Sequence, residues 1–272
     1  MTDKTFRDME QEGWTKKAKD WDDWLAKVTS DAIEPMLDSL GNLNGKQLLD
    51  VACGTGHLSG AALKRGAICV GVDFAPTMVE LATRNYPKAE FQLGDATKLS
   101  HDDNSFDAVA CSFGILHVEE PDQAIREAFR VLKPGGRYAF TVWCDPEQGG
   151  EFFGVVANAV REYADMNVDL PPAPPIWRFS NLDECKTTLK RVGFANPSTQ
   201  ILPLTWQTDS PQSVVDAIYK SAVRTPMIIE LQSPEIQEKI HSHIVKNVEK
   251  NRKNGGIELA FPAVLATGEK IQ

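Results

Sequence analysis

The chain has 272 residues, 42% hydrophobic and 25% charged, the make-up of an ordinary globular protein. Its net charge of −9 disfavours non-specific contact with nucleic-acid phosphates and anionic lipid heads, and no apolar run approaches the ~20 residues that span a bilayer. The 5 cysteines occur singly, with no C-x-x-C pair, which argues against a disulfide framework or a zinc site and fits a reducing cytoplasm.

The first residues are polar and charged, without the apolar core of a signal peptide. Trp14, Ala18, Trp21, Leu25 and Val28 then recur at helical steps and form one apolar stripe. A second helix ends near Gly41. From Gln47 the pattern changes to short apolar strands alternating with helices. Strands are expected at 48–52, 68–72, 89–94, 106–113 and 137–143, with helices at 58–65, 76–85 and 121–132 between them. Strands that are apolar throughout are covered on both faces, so the pattern predicts an α/β fold with a parallel, doubly wound sheet. Beyond Trp143 the alternation lapses. A helix at 151–165 leads into the stiff run Pro171 to Pro175, a helix at 181–192 and a strand at 201–207. A helical stretch at 210–251, interrupted near Pro226 and Pro234, precedes a final strand at 258–267.

The chemistry begins at Leu48 to Gly56, LLDVACGTG. Glycines directly after a buried strand permit a tight turn and let a ligand approach the backbone. A lone G-x-G is shared by nicotinamide, flavin and S-adenosylmethionine (SAM) sites. Asp50, at the strand end, would repel a pyrophosphate and suits a cationic ligand, and Ser59 stands where a dinucleotide loop has its third glycine. Asp73 closes the next strand at about the ~20-residue offset of a ribose-binding carboxylate. Asp95 and Ala96 close the third. Each acid alone also reads as a helix cap or turn residue; three at successive strand ends favour a ligand site.

LLDVACGTG, GVDFAPTMVELA, FQLGDATKL, FDAVACSFGILHVEEP and EAFRVLKPGGRYAFTVW together resemble the successive motifs of class I SAM-dependent methyltransferases. The likeness is to the small-molecule branch related to ubiquinone and menaquinone biosynthesis. It is close over 48–143 and looser over 177–194 and the final FPAVLATGEK. The resemblance implies a Rossmann-like, seven-stranded, mostly parallel sheet with helices on both faces and the last strand antiparallel beside the fifth. It implies SAM as cofactor, S-adenosylhomocysteine (SAH) as product and no metal. Asp50, Ala52, Gly54, Thr55 and Gly56 would hold the methionine end, Asp73, Phe74 and Met78 the ribose and adenosine, and Asp95 and Ala96 the adenine. Ser112 and Phe113 would line the floor near the methyl group. His117 is the candidate general base.

The chain divides into an N-terminal helical lid (1–40), a core (41–144), an insert (145–180), a core continuation (181–209), a helical cap (210–256) and a final core strand (257–272). Lid, insert and cap are expected to cover the carboxyl ends of the strands, where open α/β sheets bind ligands. Trp14, Trp21 and Trp177 are candidates to reach the acceptor, with Trp24, Phe152, Phe153, Tyr219 and Met227 supplying further apolar surface. The expected acceptor is a small apolar or aromatic molecule methylated on oxygen, nitrogen or carbon. His57 and His101 are expected in solvent-facing loops. A nicotinamide-dependent oxidoreductase and a non-catalytic SAM-binding protein are the alternatives. A nucleic-acid methyltransferase is disfavoured by Cys111-Ser112-Phe113-Gly114 after the fourth strand and by the acidic surface.

Overall fold

The computed structural model describes residues 4–253 and 255–271. Three helices open the chain, α1 (Phe6–Trp24), α2 (Ala26–Ser30) and α3 (Ile33–Leu40). The alternating core follows: β1 (Gln47–Val51), α4 (His57–Lys64), β2 (Ile68–Asp73), α5 (Pro76–Asn85), β3 (Glu90–Leu93), β4 (Phe106–Ser112), α6 (Pro121–Val131) and β5 (Leu132–Trp143). Next come α7 (Glu151–Tyr163), α8 (Leu182–Val192), β6 (Ala195–Leu202) and β7 (Thr205–Thr208). The chain closes with α9 (Gln212–Ser221), α10 (Arg224–Glu230), α11 (Pro234–Glu249), β8 (Arg252–Lys253), β9 (Gly256–Ala260) and β10 (Ala263–Glu269).

The local signals act as their chemistry dictates. Pro76 and Pro121 open α5 and α6 at the position where a missing N–H costs nothing. Thr5 and Asp8 form a capping box at the start of α1. Asn181 caps α8, which ends at Gly193 with φ +118°.

Seven strands form one sheet in the order β3-β2-β1-β4-β5-β10-β6. Pairs among the first five are parallel, while β10 runs antiparallel between β5 and β6. Leu48, Leu49, Val109, Ala110, Ala139 and Phe140 have essentially no solvent exposure, as strands covered on both faces require.

Two expected strands prove to be two strands each. The run 201–207 is split at Pro203 between β6 in the main sheet and β7 in a second sheet. The run 258–267 is split at Phe261-Pro262 between β9 in that second sheet and β10 in the first. A proline cannot donate to the ladder. Both runs change sheets at their prolines, and the Phe261 N–H donates to Leu204 O there (2.8 Å). The second sheet, ordered β7-β9-β8, is antiparallel. In the helical stretch the breaks fall at Ala222–Val223 and Leu231–Ser233. Pro226 lies inside the first turn of α10 rather than between helices. No helix among the described residues is long and apolar enough to cross a membrane.

Candidate functional site

At the carboxyl edge of β1, β2, β3 and β4 the chain leaves a cavity of about 1120 Å³. Drug-sized pockets hold roughly 300–1,000 Å³, so this one has room for a nucleoside-sized ligand and a second molecule. Its floor is built from the strand-end loops, and its other walls come from α1, α7, the proline-rich insert, α9 and α10.

The first loop turns through a left-handed Ala52 (φ 54°) and Gly54 (φ 53°). A Cβ added at Gly54 would meet no protein atom within 4 Å, so this backbone lies bare to the cavity. Beneath it Asp50 is 1% exposed, and its Oδ2 accepts from the Ser59 hydroxyl (2.7 Å) and N–H (3.2 Å). Burial raises the Asp50 carboxyl to about 7, against the pull of the two Ser59 bonds and with a further push from Asp73. Ser59, read in the sequence as a departure from a glycine pattern, is the residue that tethers this acid.

Asp73 closes β2 and is 6% exposed. Its Oδ2 accepts from the Gly54 N–H and its Oδ1 from the Ala75 N–H (2.9 Å each), which leaves each oxygen a free lone pair. Burial raises this carboxyl to about 6, opposed by those two N–H donors and by His117.

Ala52, Asp50, Gly54, Thr55, Asp73, Phe74, Met78, Asp95, Ala96, Ser112 and Phe113 all line this one cavity, as do His117, Trp14, Trp21 and Trp177. Gly56 does not. It caps α4 with φ +89°, and a Cβ there would strike Tyr86 and Phe91 at 2.9 and 3.0 Å. Its glycine serves the turn and the packing against Tyr86 and Phe91. Of the apolar residues assigned to the acceptor region, Phe152, Phe153 and Trp177 line the cavity, while Trp24, Tyr219 and Met227 lie elsewhere. Trp24 carries the Lys220 ammonium over its ring, and the Tyr219 hydroxyl pairs with His241 Nε2 (3.0 Å). Phe113 stacks on Trp143 (4.0 Å between centroids), and Trp143, Phe152 and Phe153 all pack against Phe261, so the apolar wall is one aromatic cluster.

The histidines expected in solvent are not there. His57 lines the cavity, with Nε2 2.6 Å from Asp22 Oδ1 and Nδ1 2.9 Å from the Tyr86 hydroxyl. His101 packs edge-on against Phe106, and both ring nitrogens are buried.

The polar residues of α1 carry a signal that the apolar stripe concealed. Arg7 Nη2 lies 3.0 Å from Asp95 Oδ2, Gln11 Nε2 donates to Phe74 O (2.7 Å), and Thr55 Oγ1 donates to Asp22 Oδ1 (2.6 Å). Glu10 is 2% exposed, and its Oε2 meets His117 Nδ1 (2.8 Å) and Trp14 Nε1 (2.9 Å). One helix therefore touches all four strand-end loops. Residues 7, 10, 11, 14, 21 and 22 recur at steps of three, four and seven, so they share a face, and that spacing is legible in the sequence.

Residues 49–140 match the family described as a methyltransferase domain. A demethylmenaquinone methyltransferase of Renibacterium salmoninarum is 41% identical over 128 residues, 47% of this chain and 52% of that protein. One from Chlorobaculum tepidum is 44% identical over 91 residues, 33% of this chain and 38% of that protein. The matches thus span about half or less of these relatives. Among solved structures, the YcgJ protein of Bacillus subtilis superposes with TM-score 0.59 at 23% identity, over 89% of this chain and 99% of that one. A Haemonchus contortus phosphoethanolamine N-methyltransferase 2, solved with phosphomonomethylethanolamine and SAH, gives TM-score 0.53 at 18% identity, over 89% of this chain and 53% of that one. These structural likenesses concern the fold.

Proposed function

We propose that this chain, whose residues 49–140 match the methyltransferase-domain family, transfers a methyl group from SAM to a small-molecule acceptor. The observation that carries the proposal is the convergence of four strand-end loops, two of them bearing buried carboxylates, on one cavity larger than a single cofactor needs. The residues present fit SAM. Bare backbone at Gly54 allows close approach of the methionine portion. Asp50 offers a charge partner for a cation, and Asp73 keeps free lone pairs for hydroxyl donors. A buried carboxylate under the glycine loop is a poor neighbour for pyrophosphate, which disfavours the nicotinamide alternative.

When bound, SAM would supply a methyl carbon already activated by a sulfonium. The protein's tasks are to align the acceptor behind that carbon and to exclude water. Trp143, Phe152, Phe153 and Trp177 offer an aromatic wall for a flat or apolar acceptor, and the helical segments α1, α7, α9 and α10 act as lid and cap. His117 is the proposed proton acceptor. The names of the sequence relatives make a demethylmenaquinone-like quinol the first acceptor to try. Calorimetry with SAH and NAD tests the cofactor. Binding of SAH but not NAD supports the proposal, and the reverse removes it. Release of SAH from SAM with an acceptor in a panel led by demethylmenaquinone tests the reaction.

A further inference from the structure

The contact between Glu10 and His117 joins residues 107 positions apart and needs a chemical reason. Glu10 lies on α1 and is 2% exposed, and buried carboxylates persist only with partners. Its Oε2 has two, the Trp14 indole N–H at 2.9 Å and His117 Nδ1 at 2.8 Å. The Trp14 ring packs edge-on against the His117 imidazole, with centroids 4.9 Å apart, and fixes its plane. The other ring nitrogen, Nε2, has no protein partner among the described residues. The His117 side chain retains 27% exposure in a cavity-lining position just beyond β4.

A carboxylate that accepts from Nδ1–H leaves Nε2 as the bare, basic nitrogen. We propose that Glu10 is the positioning residue for His117 as general base, and that the pair is complete only when α1 is seated on the cavity. This rests on the reading of the site as one for methyl transfer from SAM. In the step, an acceptor X–H directs its electron pair to the methyl carbon and the C–S pair returns to sulfur. The X–H proton goes to His117 Nε2. One positive charge thereby leaves the sulfur and appears on the imidazole, 2.8 Å from the buried Glu10 carboxylate. The same helix holds the loops at Asp95, Phe74 and Thr55 through Arg7, Gln11 and Asp22. The helix that covers the cavity and the helix that carries the partner of the base are therefore one and the same. The other charges near the pair are Asp73, which faces His117, Arg224, which faces Glu10, and Glu119 and Glu120 on the loop after His117.

The test uses the full chain with SAH bound, in wild type, Glu10→Gln and Glu10→Ala. Nitrogen-15 spectra of the histidine rings report which nitrogen carries the proton. The expected wild-type result is Nδ1–H at His117. Both variants should move the tautomer ratio toward Nε2–H by about tenfold or more, the weight of a hydrogen bond to a charged group. In parallel, single-turnover transfer from SAM is measured to a naphthol and to a thionaphthol already ionised at the assay pH. Losing the base should slow the naphthol by about 10²-fold or more, and the thiolate, which has no proton to give up, should lose far less. Nε2–H at His117 in wild type, an unchanged tautomer in both variants, or equal losses on the two acceptors would overturn the proposal. Failure of wild type to bind SAH would instead remove the methyl-transfer reading, and calorimetry on the same samples separates the two.

Discussion

Cofactor affinity is expected to depend on pH through Asp50, and the structure sets the size of the effect. The rise of its carboxyl from 3.8 to about 7 corresponds to about 4 kcal/mol in favour of the neutral acid. Because the folded value lies above the unfolded one, the group stabilises the fold fully only below about pH 4, and that contribution is lost as pH rises through about 7. A ligand ammonium paired with Asp50 needs the ionised form, so binding drives a proton off. At pH 6 only about one molecule in ten has Asp50 ionised, and SAH affinity should be roughly tenfold weaker than at pH 8. Asp73, raised to about 6, adds a factor of about two at pH 6. Calorimetric titration of SAH at pH 6, 7 and 8 measures the slope, and repetition in buffers of different ionisation enthalpy counts the released proton. Asp50→Asn keeps an oxygen for Ser59 but cannot ionise. It should bind more weakly at pH 8 and retain only about the twofold dependence due to Asp73. A flat wild-type profile between pH 6 and 8, or an undiminished slope in Asp50→Asn, would refute the pairing of Asp50 with the ligand cation.

Asp73→Ala should weaken SAH binding by ~1.5–3 kcal/mol, the worth of a hydrogen bond to a charged group. It should also lower the melting temperature, because the Gly54 and Ala75 N–H groups lose their acceptor; calorimetry and thermal melts check the two effects. Gly54→Val places its side chain in the open cavity at φ +53°, costing about 1–2 kcal/mol of backbone strain. It should abolish SAH binding while the circular dichroism spectrum keeps its folded form, and normal binding would move the cofactor elsewhere. Deletion of residues 1–30 removes Phe6, Met9, Trp14 and Ala18, which pack on Ala75, Met78 and Val223. Turnover should vanish and SAH binding weaken without disappearing; full activity of the truncation would show that α1 is not the lid.

The core was legible because its signals are local. Leu48 to Asp50 and Ile68 to Asp73 are apolar runs that end in an acid, Phe106 to Ser112 is a largely apolar run that stops two residues before Gly114, and both strand and loop follow from a few neighbouring residues. The cap was legible only as amphipathic helix. Periodicity shows which face of α1 is apolar, but not which distant groups its polar residues meet, and Glu10 meets His117 across the fold. The second sheet was missed for a different reason. Pro203 and Pro262 are visible, yet a proline between two β-prone stretches looks the same whether the chain bends within one sheet or leaves it. Ser59 stands out in the sequence only as a departure from a glycine pattern, and its bond to Asp50 depends on the α4 start folding back over the strand end.

The split at Phe261-Pro262 bears on how the molecule comes apart. A two-residue link joins β9 of the small sheet to β10, which lies between β5 and β6. Phe261 has no exposure and packs against Trp143 of β5 and Phe152 and Phe153 of α7. Strain in the small sheet therefore has no flexible tether in which to dissipate and is carried straight into β10, one strand in from the β6 edge of the large sheet. The two sheets should unfold in a single calorimetric transition, so that exchanging the acceptor-facing segments alters the cooperativity of the whole chain along with the choice of acceptor.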